Sequence, residues 1–168
     1  MSERFMKKYD GQKLGWLKFG KQAAVIAVIA FLIFRFVIGI SLVSGDSMLP
    51  TLEDKDIVAY LRIGSDYERG DVVSAKMPSS DYYVKRIVAV AGDTIDLKGD
   101  KVLINGKAID EPYIQGRTLP HEGKITYPYE IKPGYVFVMG DNREESIDSR
   151  AFGALAESQI KGKLFFVE

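Results

Sequence analysis

One long apolar stretch limits what this chain can fold into. Residues 23–43 read AAVIAVIAFLIFRFVIGISLV and carry one charged side chain, Arg35. About 20 apolar residues are needed to cross a bilayer as a helix, so the stretch predicts a transmembrane helix. Arg35 lies 14 residues after Lys21, which is roughly 21 Å along a helix. Its long side chain can therefore reach the outer interface of the membrane.

The charges before the apolar stretch predict its orientation. Residues 1–22 carry six Lys or Arg against two acidic residues, net +4, and the remainder is net −4. Such a basic flank stays in the cytoplasm, so everything from Ser44 onward is expected outside the plasma membrane. A cleavable secretory signal is the alternative. No Ala-x-Ala site follows the stretch, and Arg35 divides it, which favours an uncleaved single-pass anchor.

Composition argues against several classes of function. The net charge of zero argues against a nucleic-acid-binding surface. The absence of cysteine excludes disulfides and thiolate metal sites, and a single histidine, His121, disfavours a zinc site. We therefore expect neither a metal nor a cofactor, and we interpret His121 as a loop residue.

After Ser44 the pattern predicts a mostly β, antiparallel domain. Asn105-Gly106 between apolar runs is the strongest short-range signal of a β-hairpin. The predicted organisation is a tail at 1–22, an anchor at 23–43 and a β-rich domain at 44–168, with a hairpin insertion around 94–132. Strands are predicted at 56–61, 71–76, 82–91, 94–97, 102–104, 107–109, 134–139 and 163–167, and a loop at 110–130.

Ser47 and Lys85 are the candidate chemical groups. A serine nucleophile needs a base, and His121 is the only histidine, so Lys85 is the best remaining base. At pH 7 only about one free lysine in a few thousand is neutral, but burial lowers a lysine pKa. In a strand, Tyr83 and Ile87 would flank Lys85 on its own face. Local sequence leaves a turn serine and a solvent-facing lysine open as alternatives.

Three segments that occur in order behind the anchor resemble the conserved boxes of bacterial type I signal peptidases (leader peptidases). One such segment would carry little weight, because Ser-Met pairs are common. All three together, from the apolar stretch nearly to the C-terminus, indicate this family. They are Ser47–Leu52 (SMLPTL), Lys85–Val88 (KRIV), and the box from Gly140 to Gly153, which contains GDNR, Ser146, DSR and FG.

The resemblance implies a serine endopeptidase with a Ser/Lys dyad. Ser47 would be the nucleophile that forms an acyl-enzyme, and Lys85 would be the general base. Ser146 would hold the lysine amine, Asp148 and Arg150 would brace the loop as an ion pair, and Asp141 would support them. The Ser47 backbone N–H would be one oxyanion donor. Some relatives have a serine donor two residues upstream, where this chain has Gly45, as in the Gram-positive branch.

The resemblance also implies a substrate and partners. Shallow pockets lined by Val43, Met48, Leu52, Tyr83 and Val84 would accept small side chains, giving cleavage of signal peptides after Ala-x-Ala. The peptide would bind by β-addition beside the Lys85 strand. The expected partners are signal peptides of exported preproteins and the lipid bilayer, with a monomeric enzyme. Two alternatives are another Ser/Lys peptidase of the LexA-like type and a catalytically silent, anchored peptide-binding β-domain.

Overall fold

The computed structural model describes residues 2–64, 66–77, 82–121 and 125–165, with side chains at Trp16 and from Lys18 onward. It divides into two compact units, Met1–Val37 and Ile38–Glu168. The first unit is one helix, and the second is almost entirely antiparallel β-sheet. A mostly β fold after a single N-terminal helix is therefore confirmed.

Helix α1 spans Ser2–Phe36 and begins well before the apolar stretch. Its segment Lys18–Phe36, 19 residues, is long and apolar enough to cross a membrane. Large apolar side chains along this segment, such as Phe31, are exposed. The rings of Trp16 and Phe19, near the start of this segment, contact each other edge to face with centroids 6.4 Å apart.

The prediction of one helix over residues 23–43 is wrong in its last part. The helix ends at Phe36, and Ile38–Leu42 form strand β1. This strand pairs antiparallel with the strand at Ile57–Leu61. At Gly39 any Cβ would collide with the ring of Tyr60, its partner on the neighbouring strand. The glycine therefore allows this apolar segment to pair as a strand. Apolar composition alone cannot distinguish the two structures, because the deciding partner lies elsewhere in the sequence.

The strands of the described residues are β1 Ile38–Leu42, β2 Ile57–Leu61, β3 Val72–Lys76, β4 Tyr82–Ala89, β5 Thr94–Lys98, β6 Lys101–Ile104, β7 Lys107–Ala108, β8 Tyr129–Glu130, β9 Tyr135–Met139, β10 Leu155–Ala156 and β11 Ile160–Leu164. Seven of them form the larger sheet, all paired antiparallel, in the order β1-β2-β11-β3-β4-β9-β10. Strand β4 lies inside it, between β3 and β9. The predicted closing strand at 163–167 is β11, shifted toward the N-terminus, and residues 166–167 lie outside the described residues. Helix α2, Ser149–Phe152, and a 3-10 turn at Glu157–Gln159 precede and follow β10.

The segment proposed as an insertion, 94–132, contains a second sheet of four strands in the order β7-β6-β5-β8. Asn105 and Gly106 form the turn between β6 and β7, and both have positive φ, 53° and 78°, as Asn-Gly hairpin turns require. Strand β8 falls in the predicted loop 110–130, of which residues 122–124 lie outside the described residues. A strand of two residues leaves no periodic pattern to detect.

One cluster of the core lies directly beneath the candidate site. It joins apolar side chains from β1's end, β2, β3, β4 and β11 to Met48, the residue after Ser47. Met48 is almost fully buried, so burial of its side chain holds the turn that carries Ser47 against the sheet. The members of the cluster are Val43, Met48, Val58, Tyr60, Val72, Val84 and Leu164.

Candidate active site

The structure brings Ser47 and Lys85 together. The Nζ atom of Lys85 donates a hydrogen bond to the Oγ of Ser47 at 2.5 Å. Lys85 lies in the middle of β4, opposite Val73 of β3, and its side chain is only 1% exposed. The ring of Tyr83, on the same strand face, lies 5.5 Å from Nζ. The amine is therefore shielded from water while it touches the serine hydroxyl.

Burial lowers the pKa of the Lys85 amine from 10.5 to about 8. The charges of Asp148 and Asp141 act in the opposite direction, and that of Arg150 assists the burial. At pH 7 an amine with this pKa is neutral in about one molecule in ten, against about one in a few thousand for a free lysine. A usable fraction of the amine can thus accept a proton.

Asp141 connects the strand of Lys85 to the turn of Ser47. Arg86 donates two hydrogen bonds to the Asp141 carboxylate, from Nε at 2.9 Å and from Nη2 at 2.7 Å, and this ion pair is buried. The hydroxyl of Thr51, four residues after Ser47, donates to the same carboxylate at 2.5 Å. The guanidinium of Arg86 also lies 4.0 Å from the ring centre of Tyr113. This network fixes the turn and the strand relative to each other.

Asp148 and Arg150 form a second buried ion pair, 2.9 Å between Nη2 and Oδ2. Burial raises the pKa of the Asp148 carboxyl, but the hydrogen bond and charge of Arg150 outweigh it, and the pKa is lower than usual. The Asp148 carboxylate also accepts from the backbone N–H of Gly140 and caps helix α2. Arg150 in turn donates to the backbone oxygen of Arg143 at 2.6 Å. The pair therefore braces the loop from Gly140 to Arg150.

Ser146 is buried in this loop, but its Oγ makes no hydrogen bond within the described residues. It lies beside Asp148 and helps to lower the pKa of that carboxyl, without meeting the geometry of a hydrogen bond. Any Cβ at Gly140 would collide with the Ser146 side chain, so the two residues pack closely. The hydrogen bond that Lys85 makes goes to Ser47, not to Ser146.

Sequence reasoning missed a third buried ion pair that supports the same loop. Arg143 is fully buried and contacts Glu111 at 2.6 Å. Its Nη1 also donates to Thr118 at 2.6 Å, and its Nε donates to Gly140. Arg143 belongs to the GDNR segment, so the family resemblance is a signal that could have identified it as a site residue. Glu111 and Thr118 lie in a segment without regular pattern, so only the fold identifies them.

A shallow depression lies beside Ser47, between the end of β1 and the start of β4. Of the predicted pocket residues, Leu52 does not line it and instead packs against the core cluster beneath. Besides Ser47, the lining comes from Ser41, Leu42, Val43, Ser44, Met48, Tyr82, Tyr83 and Val84. Strand β4 pairs with β9 only from Arg86 onward. The edge of Tyr82–Lys85 that faces away from β3 is therefore not paired with β9, and Tyr82, Tyr83 and Val84 line the depression.

The arrangement can carry out nucleophilic chemistry. A serine hydroxyl bonded to a buried, partly neutral amine can attack a carbonyl while the amine takes its proton, as in serine–lysine hydrolases. His121 lies outside the helices and strands, and it makes no hydrogen bond to Ser47. Within the described residues, no three His, Asp or Glu side chains lie together as metal ligands.

Comparison with known proteins identifies the family. The family described as "Signal peptidase, peptidase S26" matches residues 16–167, and the chain belongs to this family. It is 39% identical to signal peptidase IB of Staphylococcus aureus strain N315 over 160 residues, covering 85% of this chain and 84% of that protein. It is 35% identical to signal peptidase I S of Bacillus subtilis strain 168 over 167 residues, covering 93% and 90%.

A solved structure has a similar fold. The crystal structure of a signal peptidase I from Enterococcus faecalis V583 matches with a TM-score of 0.52 and 24% sequence identity. The match covers 60% of this chain and 97% of that one. Resemblance to the signal peptidases, predicted from three short segments, is thus confirmed, and the chain is a signal peptide-cleaving peptidase by family.

Proposed function

We propose that this protein is a membrane-anchored serine endopeptidase that removes signal peptides from exported preproteins with a Ser47/Lys85 dyad. The observation that carries the proposal is the 2.5 Å hydrogen bond between the Lys85 amine and the Ser47 hydroxyl. Neither group is chemically unusual alone. Their contact, with the amine buried and its pKa lowered to about 8, supplies a base in the place where a proton must be removed.

The proposed reaction proceeds through an acyl-enzyme. The neutral Lys85 amine accepts the hydroxyl proton as Ser47 Oγ attacks the scissile carbonyl, and the Ser47 backbone N–H stabilises the oxyanion. The resulting ammonium gives its proton to the departing amine of the mature protein. Lys85, neutral again, removes a proton from a water molecule that attacks the ester. It returns this proton to Ser47 Oγ as the ester bond breaks, and the signal peptide leaves as a carboxylic acid, which ionises in water.

The loop residues hold the dyad in place. Asp148 accepts from the backbone N–H of Gly140, and Arg150 donates to the backbone oxygen of Arg143. Asp141 links the turn of Ser47 to Arg86. Ser146 has a buried hydroxyl without a hydrogen bond in the described residues. We propose that this hydroxyl receives the Lys85 amine when the amine releases Ser47 during the reaction, which is the role the resemblance implies.

The depression beside Ser47 supports a preference for Ala-x-Ala. It is shallow, and Val43, Met48 and Val84 in its wall are buried and held by the core, so large side chains have no space. A peptide added to the free edge of Tyr82–Val84 would place its alternate residues toward this wall. Small residues at the −1 and −3 positions satisfy both constraints.

Two features support action at a membrane. The segment Lys18–Phe36 can cross a bilayer as a helix, and the net +4 of residues 1–22 favours an N-terminus in the cytoplasm. In the β unit, Ile40 and Leu42 of β1, each 62% exposed, lie on one face with Ile57 of β2, 77% exposed. We propose that this apolar face contacts lipid. The dyad and the depression come from one chain, so a monomer suffices.

The test is cleavage of a preprotein with an Ala-x-Ala site by full-length protein in detergent. Ser47→Ala and Lys85→Ala should each abolish cleavage, whereas the surface controls Ser158→Ala and Lys101→Met should cleave normally. A preprotein with a bulky residue at −1 should resist. Cleavage by Ser47→Ala at the normal rate would exclude Ser47 as the nucleophile, and cleavage by Lys85→Ala would exclude Lys85 as the base.

A further inference from the structure

Asn142 holds the peptide groups on both sides of Ser47. Its side-chain Nδ2 donates to the backbone oxygen of Asp46 at 3.1 Å. Its own backbone N–H donates to the backbone oxygen of Ser47, also at 3.1 Å. Asn142 is only 6% exposed, although Asp46 is exposed. A buried side-chain amide costs free energy unless it is hydrogen-bonded, and the amide of Asn142 is bonded to the turn that carries Ser47.

These two bonds determine where the Ser47 N–H points. The Asp46–Ser47 peptide is not one of the cis bonds found at Pro50 and Pro128, and in a planar trans peptide the carbonyl and the N–H point in opposite directions. Asn142 holds the Asp46 carbonyl, which also accepts from Leu49 at 3.2 Å. Within the described residues the Ser47 N–H donates to no protein atom, so it is oriented and free.

Asn142 is itself held firmly. The backbone on either side of it bonds to Gln115: Gln115 N–H donates to Asp141 at 2.8 Å, and Arg143 N–H donates to Gln115 at 2.9 Å. Just before it, the chain passes so close to the turn that a Cβ on Gly140 would lie 2.5 Å from the Ser47 oxygen. The side-chain amide therefore acts from a rigid support.

We propose that Asn142 is a positioning residue that aims the Ser47 backbone N–H at the oxyanion. This inference rests on the proposed function, in which that N–H stabilises the tetrahedral intermediate. Loss of an oxyanion donor typically costs about 10²–10³ in rate. Loss of Asn142 leaves the donor in place but free to rotate, so we expect a smaller fall in kcat, about 10- to 100-fold, with KM nearly unchanged.

The experiment uses full-length protein in detergent, with Asn142→Ala and Asn142→Leu, the second keeping the side-chain volume. Gln159→Ala is the matched control, because Gln159 Nε2 also donates to a backbone oxygen, that of Lys76 at 3.0 Å, outside the site. The measurements are kcat, KM, Tm and the pH profile. The probes are a substrate-like peptide boronic acid, which forms a tetrahedral adduct on Ser47, and the same peptide as a carboxamide.

Both Asn142 variants should lose kcat and bind the boronic acid about 10- to 100-fold more weakly. Their affinity for the carboxamide and the pKa of their pH profile should match those of the unaltered protein. An unchanged kcat would overturn the inference. So would equal weakening toward both probes, which would indicate general damage, or a shifted pKa, which would indicate an effect through Lys85. If Asn142→Ala does not fold, the kcat and probe affinities of Asn142→Leu test the inference, with its Tm showing that this variant is folded.

Ser47→Ala in the same assay distinguishes failure of the proposed function from failure of the proposed role of Asn142. If it is inactive while the Asn142 variants are normal, the proposed function stands and the role of Asn142 is refuted. If Ser47→Ala cleaves at the normal rate, Ser47 is not the nucleophile, and the proposed function and the role of Asn142 fail together.

Discussion

Replacing Lys85 by methionine should make the protein more stable at neutral pH while removing its activity. Met is an unbranched apolar side chain of similar length and fits irregular core space well. Lys85 is 1% exposed, and its amine contacts the Ser47 hydroxyl and lies near the ring of Tyr83. The charged amine therefore destabilises the folded state, and the methionine carries no such cost.

The magnitude follows from the pKa. The amine has a pKa of about 8 when folded and 10.5 when exposed, a difference worth about 3 kcal/mol at pH 7. Between pH 8 and 10.5 the unfolded chain binds more protons than the folded chain, so the free energy of unfolding rises with pH in this window. By pH 10 the cost has fallen to about 1 kcal/mol. The lost hydrogen bond to Ser47, about 1 kcal/mol, does not change this pH dependence.

The assay is urea unfolding of the full-length protein in detergent at pH 7 and pH 10, followed by circular dichroism. The single tryptophan, Trp16, lies in helix α1 and does not report on the β unit. Other titrating groups are shared, so they cancel in the difference between the two proteins. The advantage of Lys85→Met should shrink by about 2 kcal/mol from pH 7 to pH 10. An advantage that is equal at both pH values would refute the reasoning.

Two further predictions concern the same site and its support. The kcat/KM for a preprotein should rise along one limb with an apparent pKa of about 8, that of Lys85, and a profile that climbs only above pH 10 would contradict a buried base. Asp148→Asn should destabilise the protein by roughly 3–5 kcal/mol, because it leaves the buried Arg150 charge without its partner. Urea unfolding measures this. The control Asp100→Asn, which breaks the exposed pair with Arg117, should cost far less, because solvent screens that pair. Equal losses in the two variants would contradict the argument.

The sequence was sufficient for the fold class and for selecting Ser47 and Lys85 as the candidate reacting groups. Strand predictions at 56–61, 71–76 and 134–139 lie within a residue of β2, β3 and β9, because alternation and turn residues are local signals. The choice of Lys85 came from elimination of other bases and from the family resemblance. The neighbours on its strand face were compatible with burial of the amine, but they left a solvent-facing lysine open.

The sequence could not determine which residues support the site. The helical stretch 23–43 divides into helix and strand only because β2 offers Ile38–Leu42 an antiparallel partner. Glu111 and Thr118 contact Arg143 across more than twenty residues of sequence, and no local pattern encodes that distance. The hydrogen bond from Asn142 to Asp46 joins residues 96 positions apart, so it forms only when the segment after β9 packs against the Ser47 turn.

The sequence by itself determined the apolar N-terminal helix, the β-rich character and the choice of Ser47 and Lys85 as candidate reacting groups, because these depend on composition, period and short motifs. Only the tertiary structure decided that the amine lies 2.5 Å from the hydroxyl with a pKa near 8, and which side chains hold the Ser47 backbone. A pKa and an orientation depend on what surrounds a group in space, and that environment is built from segments far apart in the chain.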